Sequence, residues 1–179
     1  CSAMSTKYLG DAFDIHTGGV DNVFPHHEGE IAQSNGAFDK QVVKYWVHGQ
    51  HLLVDGVKMA KSSGNVFTLD DLSQHGFDHL AFRYHALTVH YRKRINFTMS
   101  ALKASEKALT RLRDNVWRWS NSNGNSKVTK DIFERYRGML LNHVNDDLNL
   151  PTALSNIWKL TGCDMNDATK FAIFMDIDK

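Results

Sequence analysis

Two lysines stand in the run Gly56-Val57-Lys58-Met59-Ala60-Lys61-Ser62-Ser63-Gly64-Asn65. Ammonium groups at Lys58 and Lys61, set among glycines and serines, can wrap a polyphosphate and neutralise charge that grows on a departing pyrophosphate. The glycines would let such a loop close over a nucleotide and reopen. A solvated surface loop with two exposed lysines has the same composition, because short patterns recur by chance.

A second group of residues could hold a cation. His26 and Glu30 are four apart, just after Pro25. On a helix, residues i and i+4 share a face, so an imidazole and a carboxylate can meet one ion there while His27 and Glu28 point elsewhere. Cys1 could bring a thiolate from the preceding segment. Cysteine, histidine and glutamate are zinc ligands, and tetrahedral geometry asks for a fourth. A surface pair and a small buried hydrophobe are the plainer readings of the same three residues. Gly18 and Gly19 allow a close backbone approach to a ligand. His16 is either a core histidine at a strand end or a ligand-facing group.

These groups need elements to position them. Ala12-Phe13-Asp14-Ile15-His16 reads as a short strand, and Thr17-Gly18-Gly19 as a tight loop after it. Pro25 suits a first helical position and opens a helix through about Phe38. Lys44-Tyr45-Trp46-Val47-His48 is aromatic and β-branched, a second strand, with Trp46 as core packing and His48 a candidate adenine contact. His51 to Val57 reads as a hairpin turning at Asp55-Gly56. Strand, glycine loop, helix, strand is the order of a nucleotide-binding sheet. Residues 66–98 read as a connector, with a capped short helix at Thr68-Leu69-Asp70-Asp71-Leu72 and a helix from His79 to His90. From residue 99 the pattern is wholly helical. Leu102, Ser105, Leu109, Leu112, Val116 and Trp119 recur at spacings of three and four, as do Ile132, Phe133, Tyr136, Leu140 and Val144. Pro151 starts a third helix that stops near Gly162, and a fourth follows from about Asp167. The expected fold class is therefore α/β: residues 1–65 as the second half of a Rossmann-type domain, 66–98 as connector, and 99–179 as an all-α bundle.

The bulk numbers fit such a chain. Of 179 residues, 42% are hydrophobic and 23% charged, enough for a packed core and against global disorder. A formal net charge of +1 identifies no partner class. Its distribution is more telling. Arg92, Lys93, Arg94, Lys103, Lys107, Arg111, Arg113 and Arg118 are opposed only by Glu106 and Asp114. That clustering suits nucleic-acid phosphates, and equally an ordinary solvated helix face. Two cysteines, Cys1 and Cys163, are too few for a secreted disulfide scaffold, so a cytoplasmic setting is expected. No apolar run approaches the roughly 18–20 residues of a membrane span, and a monomer without a membrane partner is expected. The sequence opens on Cys1 rather than Met, so an internal stretch of a longer protein is expected.

Taken in order, the motifs carry more than each alone. They run Cys1-Ser2-Ala3-Met4-Ser5, then Phe13-Asp14-Ile15-His16 with Gly18, Gly19 and Asp21. Phe24-Pro25-His26-His27-Glu28 and Glu30-Ile31-Ala32-Gln33-Ser34 follow, then Tyr45-Trp46 and Lys58-Met59-x-Lys61-Ser62. This series closely resembles cysteinyl-tRNA synthetase. The lysine loop resembles the KMSKS signature of class I synthetases, departing from it at Ala60. Asp146-Asp147-Leu148-Asn149-Leu150-Pro151 resembles the family's D-D-F-N-x-P segment.

The resemblance implies an enzyme that activates L-cysteine with ATP and Mg2+ and passes it to tRNA(Cys). It implies Zn2+ on Cys1, His26 and Glu30, with a fourth ligand from an N-terminal half that lies outside these residues. It places His16, Gly18, Gly19 and Asp21 on the aminoacyl-adenylate and gives Lys58 and Lys61 to ATP. The family's H-I-G-H signature is absent from these 179 residues, so they are expected to be inactive alone. Two rival readings share the features: a cysteine ligase of mycothiol biosynthesis on the same scaffold, and a non-catalytic zinc- or tRNA-binding module.

Overall fold

The computed structural model describes residues 1–60, 62, 64–125 and 129–178. They divide into two compact units, Cys1–Leu53 with Tyr91–Ile95, and Val54–His90 with Asn96–Lys179.

The first unit is built on a parallel pair. β1 (Phe13–Gly19) and β2 (Val43–Gly49) run side by side, with His16 opposite Trp46 and Gly18 opposite His48. Parallel strands cannot be joined by a tight turn and need a crossover. Here the crossover is a 3-10 turn (Val20–Asn22), a turn kinked at Phe24 (Val23–His27) and α2 (Glu28–Phe38). Two expectations are corrected. Gly18 and Gly19 belong to the strand and not to a loop. The α-helix begins at Glu28 and not at Pro25, which sits in the kinked turn after a cis bond to Phe24. α2 ends at Asp39, whose left-handed backbone (φ 50°) closes the last turn. A short helix absent from the sequence reading, α1 (Ser2–Leu9), precedes β1 and has Cys1 at its N-cap. Val42 and Val43, at the start of β2, are the buried apolar residues of this unit among those described.

The hairpin forms where the glycine predicts it. β3 (Leu52–Val54) turns into β4 (Val57–Lys58) through Asp55 and Gly56, at φ 49° and 81°. Two consecutive left-handed residues make the turn that matches strand twist, which is why Asp-Gly favours it. A third strand, β5 (Ile95–Phe97), joins to give the order β4-β3-β5.

The second unit is mostly helical. Thr68 and Asp71 form a reciprocal capping box on α3 (Leu69–Gln74), as the spacing predicts. Asp78 caps α4 (His79–Leu87), and Thr98 caps α5 (Met99–Ser120). α6 (Lys130–Asn145), α7 (Leu150–Gly162) and α8 (Asp167–Ile177) follow. α4 and α8 pack on α5, and α6 packs on α7 and α8. Leu102 and Trp119 are fully buried from the α5 face that the periodicity marks, the α6 face has no fully buried residue, and Leu160 of α7 and Ile173 of α8 complete the buried set. Phe97 is buried too, ringed by Phe67, Phe82 and His85. The indole N–H of Trp158 donates to Tyr84 Oη at 2.7 Å. Between α6 and α7, Asp147 and Leu148 adopt left-handed backbone (φ 52° and 55°), and Asn149 then stands at the N-cap position of α7 without a side-chain capping bond, with Pro151 in the first turn. Among the described residues no helix is long and apolar enough to cross a membrane.

His85 gives this unit a pH response. It is 7% exposed, its Nδ1 lies 3.2 Å from Ser105 Oγ, and burial pushes its imidazole below the ordinary value, opposed in part by the Asn96 backbone. The unfolded chain therefore takes up a proton that the folded chain refuses. That contribution is whole above the ordinary histidine value of about 6.5 and is lost as pH falls from there toward the folded value. The urea midpoint should be level above pH about 7 and decline below about 6.5, and His85→Gln should flatten part of that decline.

Candidate metal and adenylate site

Strand alternation sets the site. Residues two apart on a strand share a face, so His16 and Gly18 on β1 stand beside Trp46 and His48 on β2. The His16 and Trp46 rings lie 4.6 Å apart, and the His27 ring lies 4.7 Å from Trp46 and 4.9 Å from His48. His27 Nδ1 and His48 Nε2 are 2.7 Å apart, so one of the two rings donates to the other. A Cβ on Gly18 would stand 2.5 Å from His27 Cε1. The missing side chain is what lets the His27 ring reach the strands.

Glu30 anchors the other side. It is 6% exposed, with His16 Nε2 at 3.1 Å from one carboxylate oxygen and His26 Nε2 at 3.5 Å from the other. Among the described residues, neither oxygen accepts a hydrogen bond from a backbone N–H or a hydroxyl. A carboxylate taken out of water without such donors calls for positive charge beside it. Two sets of side chains meet this need. The ligating atoms of Cys1, His26 and Glu30 lie within 4.8 Å of one another, as do those of His16, His27 and Glu30. A thiol, imidazoles and a buried carboxylate lacking donors form a set that suits zinc. Burial, with His16 and His48 adding to it, holds the His27 imidazole below its ordinary value. The neutral ring is the form able to accept a hydrogen bond or bind a metal. Beside Glu30 lies a cavity of about 200 Å3 lined by Phe13, His16, Ser34, Val43 and Trp46 among others.

The structure thus brings Cys1, His16, His26 and Glu30 together. Gly19 lies next to Asp21, whose exposed carboxylate occupies the space a Cβ on Gly19 would take. Lys58 is exposed on β4, in the second unit. Asn65 ties the base of its loop, accepting from the Ala60 N–H at 3.0 Å and donating to the Lys58 carbonyl at 3.3 Å. Lys61 lies outside the described residues. One expectation is overturned: His27 does not point away but is 3% exposed and central, while Glu28 is exposed. His27 stands three residues before Glu30, and residues three apart share a helix face as those four apart do, so His27 joins the site with His26. Trp46 and His48 gather at the site as well. Their alternation on β2, in step with His16 and Gly18, is the signal that could have found them.

The basic stretch divides. Arg92, Lys93 and Arg94 belong to the first unit and the α5 cations to the second. Several of the latter have partners within the fold. Arg113 meets Asp78 at 2.7 Å, Arg118 meets Asp167 at 3.3 Å, and Arg111 lies over the Trp158 ring.

Residues 1–107 match the family described as tRNA synthetases class I (C) catalytic domain. The Cysteine--tRNA ligase of Brachyspira hyodysenteriae is 46% identical over 166 residues, covering 89% of this chain and 35% of that protein. That of Opitutus terrae is 48% identical over 160 residues, covering 89% and 33%. The chain spans about a third of the length of these curated relatives. The LeuRS of Agrobacterium radiobacter K84, solved as a ternary complex with tRNA and LeuAMS, shares the fold at a TM-score of 0.70 and 18% identity, covering 89% of this chain and 24% of that one.

The glycines separate packing from propensity. Gly18→Ala should displace the His27 ring and lower the thermal midpoint, at a cost of roughly 1–3 kcal/mol for an overpacked interior. Gly36→Ala, at an exposed position of α2 where an added Cβ meets nothing within 4 Å, should instead stabilise by roughly 0.5–1 kcal/mol.

Proposed function

Because this chain belongs to the class I tRNA synthetase (C) catalytic-domain family, we propose that it forms part of an enzyme that activates L-cysteine with ATP and Mg2+ and transfers it to tRNA(Cys). In this reading the first 65 residues are the second half of a Rossmann-type nucleotide domain, 66–98 connect, and 99–179 form a tRNA-facing bundle. The enzyme is a cytoplasmic monomer.

The observation that carries the reading is Glu30. Its carboxylate is buried, has no hydrogen-bond donor among the described residues, and shares a 4.8 Å neighbourhood with Cys1 and His26. Those three residues would hold Zn2+, with a fourth ligand from outside this chain. When bound, zinc supplies a soft cation that takes a thiolate far better than a serine hydroxyl, and so separates two amino acids of nearly equal size. Gly18 and Gly19 give backbone access on the adenylate side, with Asp21 and His16 beside them. Lys58 and Lys61 neutralise the leaving pyrophosphate, and Asn65 holds the base of their loop. Catalysis in this scheme is positioning plus charge stabilisation, with no covalent enzyme intermediate.

Joined to a half that carries H-I-G-H, the chain should catalyse cysteine-dependent exchange between ATP and pyrophosphate, whereas the 179 residues alone should give none. In the joined enzyme, Lys61→Ala should lower exchange by about 10²–10³-fold, the scale of one lost transition-state donor. Cys1→Ser, His26→Ala and Glu30→Ala should each lose zinc by metal analysis; zinc retained in all three would remove this metal assignment. Offering tRNA(Cys) and an amino-sugar acceptor side by side tests the acceptor, and transfer to the sugar alone would sink the tRNA reading.

A further inference from the structure

Glu30 stands in two sets of candidate ligands, and each set brings residues of its own. Cys1 and His26 belong to one, His16 and His27 to the other, and within each set the ligating atoms lie within 4.8 Å of one another. The carboxylate oxygens are divided between the sets. His26 Nε2 is 3.5 Å from Oε1, and His16 Nε2 is 3.1 Å from Oε2. Neither contact is a hydrogen bond, and neither oxygen has a hydrogen-bond partner among the described residues. A nitrogen and an oxygen this close, with no proton shared between them, have the spacing of two ligands on one ion. Bonds of roughly 2.0–2.2 Å at tetrahedral angles put ligand atoms about 3.3 Å apart.

We propose that His16, His27 and Glu30 form a second cation site beside the one on Cys1 and His26, with Glu30 bridging the two. It takes a borderline divalent ion of the zinc, cobalt or nickel class. Imidazoles with a carboxylate and no thiolate suit such ions. Two histidines and a glutamate are also a set on which zinc keeps one position open for water or another ligand. This site stands on its own residues and does not depend on the zinc reading of the Cys1 side.

The inner set is enclosed and held in place. Glu30 is 6% and His27 3% exposed. β1 fixes His16 opposite Trp46, and its ring lies 4.9 Å from that of His27. The His27 ring fits there because Gly18 has no side chain. His27 Nδ1 lies 2.7 Å from His48 Nε2, a partner of the kind that fixes the tautomer and direction of a metal-binding ring. An ion in this set supplies positive charge beside a buried carboxylate that no donor satisfies. It binds more weakly than one on the Cys1 side, because it has no thiolate and shares a carboxylate with another dication. Protein as isolated therefore reports the tighter ion, and the inner one is filled from added metal.

The test is cobalt(II) titration of the joined enzyme after metal has been removed by chelation. Equilibrium dialysis counts the ions, and absorption separates them, since only the Cys1 set can give a sulfur-to-cobalt charge-transfer band. Wild-type protein should take up two ions per chain, the first with that band and the weaker second without it. His27→Ala should keep the first ion and lose the second. His16→Ala, at the less enclosed ring, carries the same expectation should His27→Ala fail to fold. His48→Ala should weaken the second ion by about 10–100-fold and leave the first unchanged. Glu30→Gln should weaken both, as a bridge requires. One ion per chain at saturating cobalt, with the thiolate band and unaffected by His16→Ala, would overturn the inference and leave the zinc reading intact. A second ion indifferent to His16→Ala and Glu30→Gln would overturn it as well. One ion without the band, lost in His16→Ala, would keep the inner site and overturn the zinc reading of the Cys1 side. No bound ion at all would overturn both.

Discussion

Parallel pairing of β1 with β2 is the constraint from which the candidate site follows. Once Phe13 stands opposite Val43, every later pair is fixed, and the period of two decides which side chains share a face. His16 must then meet Trp46, and Gly18 must meet His48. The crossover needed to return the chain for a parallel partner brings His26, His27 and Glu30 over the same region. A slip by one residue would send His16 and Trp46 to opposite faces of the pair and leave Glu30 facing backbone. The chemistry is thus a consequence of register before it is a consequence of residue choice.

Around that frame the electrostatics are one-sided. The anion is buried and the candidate cations are imidazoles, which carry charge only in part of the pH range. His27, the most enclosed of them, is pushed toward neutrality by burial and by its histidine neighbours. A buried carboxylate beside a His27 ring held toward neutrality is poorly balanced as it stands and well suited to a divalent ion. The second unit solves its polar problems differently. Asp78 and Asp167 meet arginines at the surface, and Trp158 meets Tyr84, each with a partner inside the chain.

Much of the helical half was legible in the sequence because long amphipathic helices repeat their signal. Leu102 and Trp119 lie five turns apart on one face and are both buried. The hairpin was legible because Asp55-Gly56 has few alternatives. β5 was not, since three residues carry no period, and α1 was not, since it buries no side chain. At the site, the i, i+4 spacing led to His26 and Glu30. The neighbouring His27 was misplaced because only the spacing of four was weighed, whereas residues three apart share a helix face as well and His27 stands three before Glu30. Glycines at 18 and 19 read as punctuation, whereas at 18 the strand continues and the glycine makes room. Which family the chain belongs to was legible from the order of motifs, a property that no single element holds.

Gly18 carries a historical consequence. Its residue type is set by the ring that fills the place of its missing side chain, and not by anything glycine does itself. A chain in which position 18 acquired a methyl group would first have to shrink or turn the residue at 27, and that residue is in turn held by His48. Changes here can therefore be accepted only in a certain order, with the inner ring moving before the strand. The empty space at one backbone position links three residues that lie far apart in the sequence into a single unit of inheritance.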